Sequence, residues 1–435
     1  MGYRVSLFSV SSFPPARMGV RGMIRYVAAA RQALPEVFGY FLVVETQKME
    51  PGVRYQPTVF EALLKAVPRW IFATIVSRHD GDRYDKSFRS WDHLVSLVFL
   101  QLSGISSLRA LETVWNAQSG AHYHLGTGAV SRTTLSDANG RRDPAIFAET
   151  FAHLSGLASR VLRREGQKVV RLIDATPIPL SSLCGWAKWN GRTRGLKTHV
   201  VYDPDSDQPV HLEITSATVN DVLVGREQPI EPGATYVFDK AYVDYAWWHR
   251  LDQARCIFIT RPKGNVKFTV IKNRSLCQAA RDAGVVSDAT VELASQQRAR
   301  LPIRLRRIEV RRDDGRILTI ISNDLRRSAH SIAALYRKRW QIELLFRWIK
   351  QHLKIKSFIG RSENAIRLQI HAAMIAYLLL RLAARQSRST LPTIRFIDLV
   401  RAKIFERKKL DRINQPPQNN QPNKYPDKQL AFQYV

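Results

Sequence analysis

Acidic residues are scarce in this chain. Its 435 residues include 37 Asp and Glu against 67 Lys and Arg, a formal net charge of +30 at pH 7. That imbalance points to a polyanionic partner, because neutralising phosphates releases counterions and supplies sequence-independent affinity. Nucleic acid is the first candidate and an anionic membrane surface the second. Cysteine is scarcer still. Cys184, Cys256 and Cys277 lie far apart with no paired CxxC, which excludes a disulfide framework and a structural zinc site and fits a reducing, cytoplasmic setting. Long apolar runs are also lacking. A spanning helix needs roughly 20 apolar residues, and the best C-terminal run, AAMIAYLLL (Ala372 to Leu380), stops at Arg381, so it reads as a buried helix and no membrane role is expected.

The first 35 residues contain no acid before Glu36 but carry Arg4, Arg17, Arg21, Arg25 and Arg31, the composition of a transit peptide. The plainer reading is an upstream extension without function. At the other end, NQPPQNNQPNKYPDKQ lacks the apolar residues that offset ordering entropy, and a disordered tail is expected. Between these ends, 45% hydrophobic content in a chain of this length predicts a sizeable core and two or three domains.

From Tyr55 to about Arg160 apolar residues recur at helical spacing, as in SWDHLVSLVFLQLSGISSLRALETVWNAQ, and predict an all-helical module. Within it, ISSLRALETVW followed by VSRTTLSDANGRR has the look of a helix-turn-helix, with an ordinary helical pair as the alternative. After Gly166 the texture changes. KVVRLIDATPIPL reads as a strand, KTHVVYDPDSDQPVHLEITSA as a hairpin turning at DPDSD, TYVFDKAY as a strand, DYAWWHRLDQA as a helix and CIFITRP as a strand. This order predicts an α/β core with a mixed sheet. Residues 264–327 are Arg-rich with short alternating runs and predict a β-rich insertion. Helical texture returns at Ser331 and holds to about Arg385, then again in RFIDLVRAKIFERKK.

YRKRWQIELLFRWIKQHLKIK, Tyr336 to Lys356, holds seven cations and one acid, Glu343. On a helical wheel Tyr336, Arg339, Glu343, Arg347, Lys350 and Lys354 share an arc of about 80°, while apolar residues fill most of the rest. Taken alone, the stripe reads first as a solvated face on which Arg339 and Arg347 bracket Glu343 as i±4 partners. Two further acids change the balance. Asp174 and Asp239 lie in apolar strands, where acids are disfavoured. Three converging carboxylates repel one another unless a cation sits among them, and hard oxygen donors select Mg²⁺ or Mn²⁺. Two such ions about 3.5 to 4 Å apart activate a water and stabilise the leaving oxygen of an in-line phosphodiester displacement.

Tyr336, Arg339, Glu343 and Lys350 match the spacing Y-x2-R-x3-E-x6-K, and here the chain resembles the bacterial insertion-sequence transposases of the DDE type that carry this YREK signature. DATPIPL and FDKAY look like the family's motifs around its first and second Asp, and the segment from RYQPTVF through SWDHLVSLVFLQLSG resembles the helical domain that precedes the catalytic core in one branch. The resemblance covers about Arg54 to Phe405. It implies an α/β fold with a ribonuclease-H-like mixed-sheet core, interrupted between the second Asp and the Glu by a β-rich insertion and preceded by an all-helical N-terminal domain. The corresponding divisions are an extension at 1–53, disordered or non-native; a helical DNA-binding domain at 54–160; the core at 166–263 and 328–405; the insertion at 264–327; and a basic, partly disordered tail at 406–435. Members of this branch begin near RYQPTVF, so a natural start close to Val53 is expected.

By position, the resemblance makes Asp174, Asp239 and Glu343 the catalytic residues and the ligands of two Mg²⁺ or Mn²⁺ ions. Tyr336, Arg339 and Lys350 become contacts to transposon-end DNA. Arg347 and Lys354 join them from the wheel alone. The implied reaction is nicking that releases a 3′-hydroxyl, followed by attack of that hydroxyl on target DNA. The implied partners are double-stranded inverted repeats and target DNA, held by a homodimer in the cytoplasm at the nucleoid. Family members that pass through a hairpin use a Trp of the insertion to hold a flipped base. This chain has no Trp between Trp248 and Trp340. A decayed, non-catalytic DNA-binding protein and a general nuclease of the same fold remain as alternatives.

Other motifs have plainer readings. Asp203, Asp205 and Asp207 alternate like a calcium loop but lack its Gly and Glu, and read as a turn. Asn220 and Asp221 are expected to cap a helix, with a supporting role behind the acidic residues as the alternative, and His199 and His211 to be structural. Arg304, Arg306, Arg307, Arg311 and Arg312 either track DNA or line a solvated basic strand face.

Overall fold

The computed structural model describes residues 55–162, 166, 168–294, 301–352 and 358–414. The extension at 1–53, Lys354 and the last 21 residues, 415–435, lie outside the described residues. Among the described residues, seven helices come first: α1 (Val59–Leu64), α2 (Arg69–Arg78), α3 (Ser90–Ser103), α4 (Leu108–Asn116), α5 (Ser119–Leu125), α6 (Arg132–Arg141) and α7 (Ala145–Leu162). Helix α3 is buried over most of its circumference. The Asp92 carboxylate accepts the Arg89 amide at its start (2.9 Å), and Gly104 ends it at φ 75°, a left-handed conformation that glycine adopts without steric cost. The expected helix-turn-helix does not form. Its two halves are α4 and α6, and α5 intervenes, so no short turn joins them.

Five strands follow with two helices among them: β1 (Val170–Pro179), β2 (Gly195–Asp203), β3 (Gln208–Ser216), α8 (Asp221–Glu227), β4 (Thr235–Phe238), α9 (Tyr245–Gln253) and β5 (Ile257–Thr260). They make the sheet order β3-β2-β1-β4-β5, in which β1, β4 and β5 are parallel and β2 runs antiparallel to both of its neighbours, β1 and β3. This is a ribonuclease-H-like core. The segment 264–327 contains β6 (Phe268–Asn273), α10 (Gln278–Asp282), β7 (Val285–Leu293), β8 (Leu305–Arg311) and β9 (Ile317–Ser322). Its strands extend the same sheet, because β9 pairs with β5 through Ile259↔Ser322 and Thr260↔Ile321, giving nine strands in all.

The described residues close with α11 (Ala329–Lys338), α12 (Trp340–His352), α13 (Glu363–Gln386), α14 (Thr393–Ala402) and a 3₁₀ turn, Leu410–Arg412. The stretch placed on one wheel is therefore two helices, parted at Arg339. The Arg339 amide bonds to Tyr336 O (3.1 Å) and the Ile342 amide to Arg339 O (3.2 Å), tighter i→i−3 links than a continuous α-helix makes. Trp340 and Leu344 are exposed, so less of α12 is packed than the wheel implied.

One face of the sheet shares a single apolar core with the N-terminal helices, running from Val59 through Phe99, Trp115 and Phe147 to Leu172, Ile178 and Val237. Helix α13 lies between them, touching α3, α7 and β3, and its run from Leu368 to Leu380 is buried all round. It is long and apolar enough to cross a membrane, yet its apolar surface is satisfied within this core. The other face packs Ile173, Tyr236 and Phe238 against Trp247, Trp248 and Leu251 of α9.

Candidate active site

Asp174 sits in the middle of β1. The parallel register pairs Ile173 of β1 with Phe238 of β4, so Asp174 and Asp239, each one residue further on, reach the same level on neighbouring strands. Such strands lie about 4.8 Å apart. Asp239 immediately follows β4 and leads into a short 3₁₀ turn, Lys240–Tyr242, which frees its side chain from the ladder. Helix α12 packs over β1 and places Glu343 in its first turn. The three acids thus come from the middle of β1, the end of the adjacent β4 and one crossing helix.

Arg339 joins two of them. Its Nη2 donates to Glu343 Oε1 at 2.5 Å and its Nη1 to Asp174 Oδ2 at 3.4 Å. Asp174 Oδ1 also accepts the Ala175 amide at 2.9 Å. The Asp174 carboxyl is pushed up to about 6, chiefly by burial and further by the negative charges of Glu343 and Asp239, against the Ala175 amide and Arg339. The acids therefore sense one another electrostatically. Asp239 Oδ1 is buried without a hydrogen-bond partner, the state expected of an oxygen awaiting a cation. Among the described residues, no three His, Cys, Asp or Glu side chains are already gathered tightly enough to hold an ion. The guanidinium of Arg339 stands between two of the carboxylates. The donor set, three carboxylates with one orphaned oxygen, suits a hard divalent ion.

The other expected residues divide. Lys350 Nζ donates to Thr176 Oγ1 at 2.5 Å, two residues along β1 from Asp174, so α12 carries a cation alongside the acids. Tyr336 is buried, with its ring 6.0 Å from the Arg339 guanidinium, and burial pushes its hydroxyl up to about 12, so it stays protonated. Arg347 is exposed. Its guanidinium lies 5.6 Å from the Trp340 ring, and the residue borders a cavity with Tyr202, Leu344, Trp348 and Tyr377.

Two neighbours of the site carried no sequence signal. Lys197 of β2 donates to Asp221 Oδ1 (2.8 Å), which lies 4.0 Å from His199 Nδ1. Tyr242 has a buried hydroxyl without a hydrogen-bond partner, close enough to Asp221, Asp174 and Asp239 that their charges add to burial in holding it protonated. Their pairing across β1, β2 and the turn after β4 depends on long-range register. Asn220 caps α8 as expected, Oδ1 accepting the Val222 amide at 3.4 Å, and DPDSD is a turn in which Asp203 Oδ1 accepts the amides of Asp205 and Ser206. His199 is buried and shares a hydrogen with Thr215 Oγ1 (2.9 Å). The arginines of the insertion correct both earlier readings at one position: Arg306 is buried and donates twice to Asp288, at 2.8 and 2.6 Å, so it neither meets DNA nor faces solvent.

A ribonuclease-H-like sheet with acids at one level of two neighbouring strands and a third on a crossing helix is the arrangement of the DDE class. The Transposase DDE domain model matches residues 165–379, and a domain of unknown function, DUF4372, matches 55–128. A Sinorhizobium fredii protein named as a transposase, y4zB, is 55% identical over 305 residues, covering 69% of this chain and 86% of the relative. A Geobacillus stearothermophilus protein named as a transposase for insertion sequence element IS5377 is 32% identical over 260 residues, covering 59% and 68%. The chain belongs to the DDE transposase family. The piggyBac transposase in a synaptic complex with hairpin DNA aligns over 83% of this chain and 81% of its own at 10% identity and TM-score 0.42. That likeness adds nothing to the fold assignment, which rests on the strand order.

Proposed function

We propose that this DNA transposase cuts at the ends of its insertion sequence and joins the released 3′-hydroxyl to target DNA, with Asp174, Asp239 and Glu343 as its catalytic carboxylates. The observation that carries this reading is the convergence of Asp174 and Asp239 at one level of the sheet with Glu343 tied to Asp174 through Arg339. The same three residues would hold two Mg²⁺ or Mn²⁺ ions, which supply water activation and stabilisation of the leaving oxygen when bound. Arg339 compensates the acids' charge in the free protein and turns to a phosphate of the bound strand. Lys350, beside Thr176, holds the next phosphate, while Tyr336 gives Arg339 an aromatic wall. Arg347 on α12, and Lys354 beyond it in the sequence, extend the grip on the DNA backbone.

In this reading the helical segment 54–160 engages the inverted repeats, the core spans 166–263 and 328–405, and 264–327 is its insertion. A synapse holds two ends, so the working unit is a homodimer on double-stranded DNA at the bacterial nucleoid. A strand-transfer assay tests the reading: labelled end DNA, a supercoiled target and Mg²⁺ should yield joined products that require the inverted repeat. Cutting of DNA without the repeat at the same rate would instead identify a general nuclease, and binding without any cutting a decayed, non-catalytic DNA-binding protein.

A further inference from the structure

Between Asp174 and Asp203 there is no acid, yet the segment holds Lys188, Trp189, Arg192, Arg194 and Lys197. Most of it is the connection between β1 and β2, residues 180–194. This connection is fixed in place. Trp186 Nε1 donates to Arg361 O (2.7 Å), and Cys184 and Ala187 are buried beneath it. Asn190 Oδ1 accepts the amides of Arg192 (3.0 Å) and Thr193 (2.8 Å), and its Nδ2 donates to Ala217 O (3.2 Å). Gly191, at φ 88°, turns the tip, and an antiparallel bridge joins Trp189 to Arg194. On this rigid base Trp189 is 60% exposed, beside the exposed Lys188 and Arg192. Lys197 is neutralised by Asp221, but among the described residues Lys188, Arg192 and Arg194 form no ion pair.

A large aromatic ring left in water by a well-ordered loop, with uncompensated cations on both sides, matches the chemistry of a nucleotide strand: a π-face for a base and charges for the phosphates that flank it. Its position agrees. Strand β1 carries Asp174, then Thr176 with Lys350 bonded to it, then leads directly into the loop. We propose that this loop is a second DNA contact, in which Trp189 stacks on an unpaired base while Lys188, Arg192 and Arg194 hold the adjoining phosphates. The proposal rests on the reading that DNA passes the Asp174, Asp239 and Glu343 site. Five residues of strand separate Asp174 from Pro179, about 17 Å, and Trp189 bridges to Arg194, next to the Gly195 that pairs with Pro179, so the stacked base lies about five nucleotides from the scissile phosphate at a rise of about 3.4 Å.

The test uses the full chain and end DNA carrying a single 2-aminopurine, in a mismatch, at successive positions two to eight nucleotides from the cut on either strand. Wild-type protein should quench one position near the fifth nucleotide, and Trp189→Phe should keep most of that quench. Trp189→Ala should abolish it and weaken binding of mismatched DNA roughly ten- to hundredfold, with fully paired DNA much less affected. Arg192→Ala should lower the salt slope of binding by about one ion. No quenched position in the wild type, or a quench that persists in a folded Trp189→Ala protein, overturns the loop contact. Because Asp174→Asn acts on cleavage and not on the quench, a failed cleavage assay with an intact quench would count against the active-site reading alone.

Discussion

Arg339 donates to Glu343 at 2.5 Å, across one turn of helix, and with its other amino group reaches Asp174 on β1. One guanidinium thus keeps two carboxylates of a crowded acidic site apart, in a place where like charges would otherwise face each other at short range. It serves as the resident countercharge of the free protein.

Arg339→Ala should therefore destabilise the metal-free protein by on the order of 1–2 kcal/mol, since the pair is only partly buried and solvent screens it. Added Mg²⁺ or Mn²⁺ should restore more stability to the variant than to the wild type. Thermal melts in chelator and in excess Mg²⁺ measure this difference, and equal shifts in both would mean that Arg339 does not compensate the acids.

The pH dependence at Asp174 has a definite sign. Its folded pKa, about 6, lies above the ordinary carboxylate value of 3.8, so the folded state binds more protons than the unfolded one between those values. Asp174 therefore costs stability at neutral pH, and that cost vanishes as pH falls through 6 toward 3.8. Asp174→Asn should raise metal-free stability at pH 7 by up to about 3 kcal/mol, with the gain fading toward pH 4. Denaturant titrations at several pH values check it; a gain independent of pH would refute the charge argument.

His93 behaves oppositely. It is fully buried, its Nε2 2.9 Å from Asn139 Oδ1, and burial lowers its pKa to about 3, with the charge of Arg142 a further cause. The unfolded state takes up this proton first, so stability is complete above pH 6.5 and falls as pH drops toward 3. His93→Gln should reduce the acid slope of stability by about 1.4 kcal/mol per pH unit, one proton's worth, in equilibrium unfolding between pH 4 and 6.

Arg306 and Asp288 are both about 3% exposed at their side chains. Arg306→Met leaves Asp288 charged and poorly compensated, and should cost about 3–5 kcal/mol without lowering the salt slope of DNA binding. Lys350→Ala should do the reverse, lowering that slope by about one ion with little change in unfolding free energy. Filter binding over a range of salt, set beside unfolding curves, separates the two roles.

Much of this arrangement is legible in the residues because burial and alternation mark it. Asp174 and Asp239 stand out as acids in apolar runs, although β4 ends one residue before Asp239, and β1 to β5 follow runs of Val, Ile and Tyr bounded by turn residues. The break at Arg339 is not legible: its dihedrals stay helical (φ −51°, ψ −31°), and only the switch to i→i−3 bonds ends the helix. Helix α5 was missed because SGAHYHL has little apolar periodicity, and the helix-turn-helix reading failed with it. Arg306 did carry a signal. It shares the strand parity of Ile308 and Val310, both buried, but its partner Asp288 lies on another strand that only the folded register brings near.

Mg²⁺-dependent nicking of labelled end DNA by the separate variants Asp174→Ala, Asp239→Ala and Glu343→Ala, with end binding measured alongside, tests the central claim most directly. The account predicts that each variant binds ends nearly as well as the wild type and cuts none. Undiminished cutting by any one of the three would contradict it.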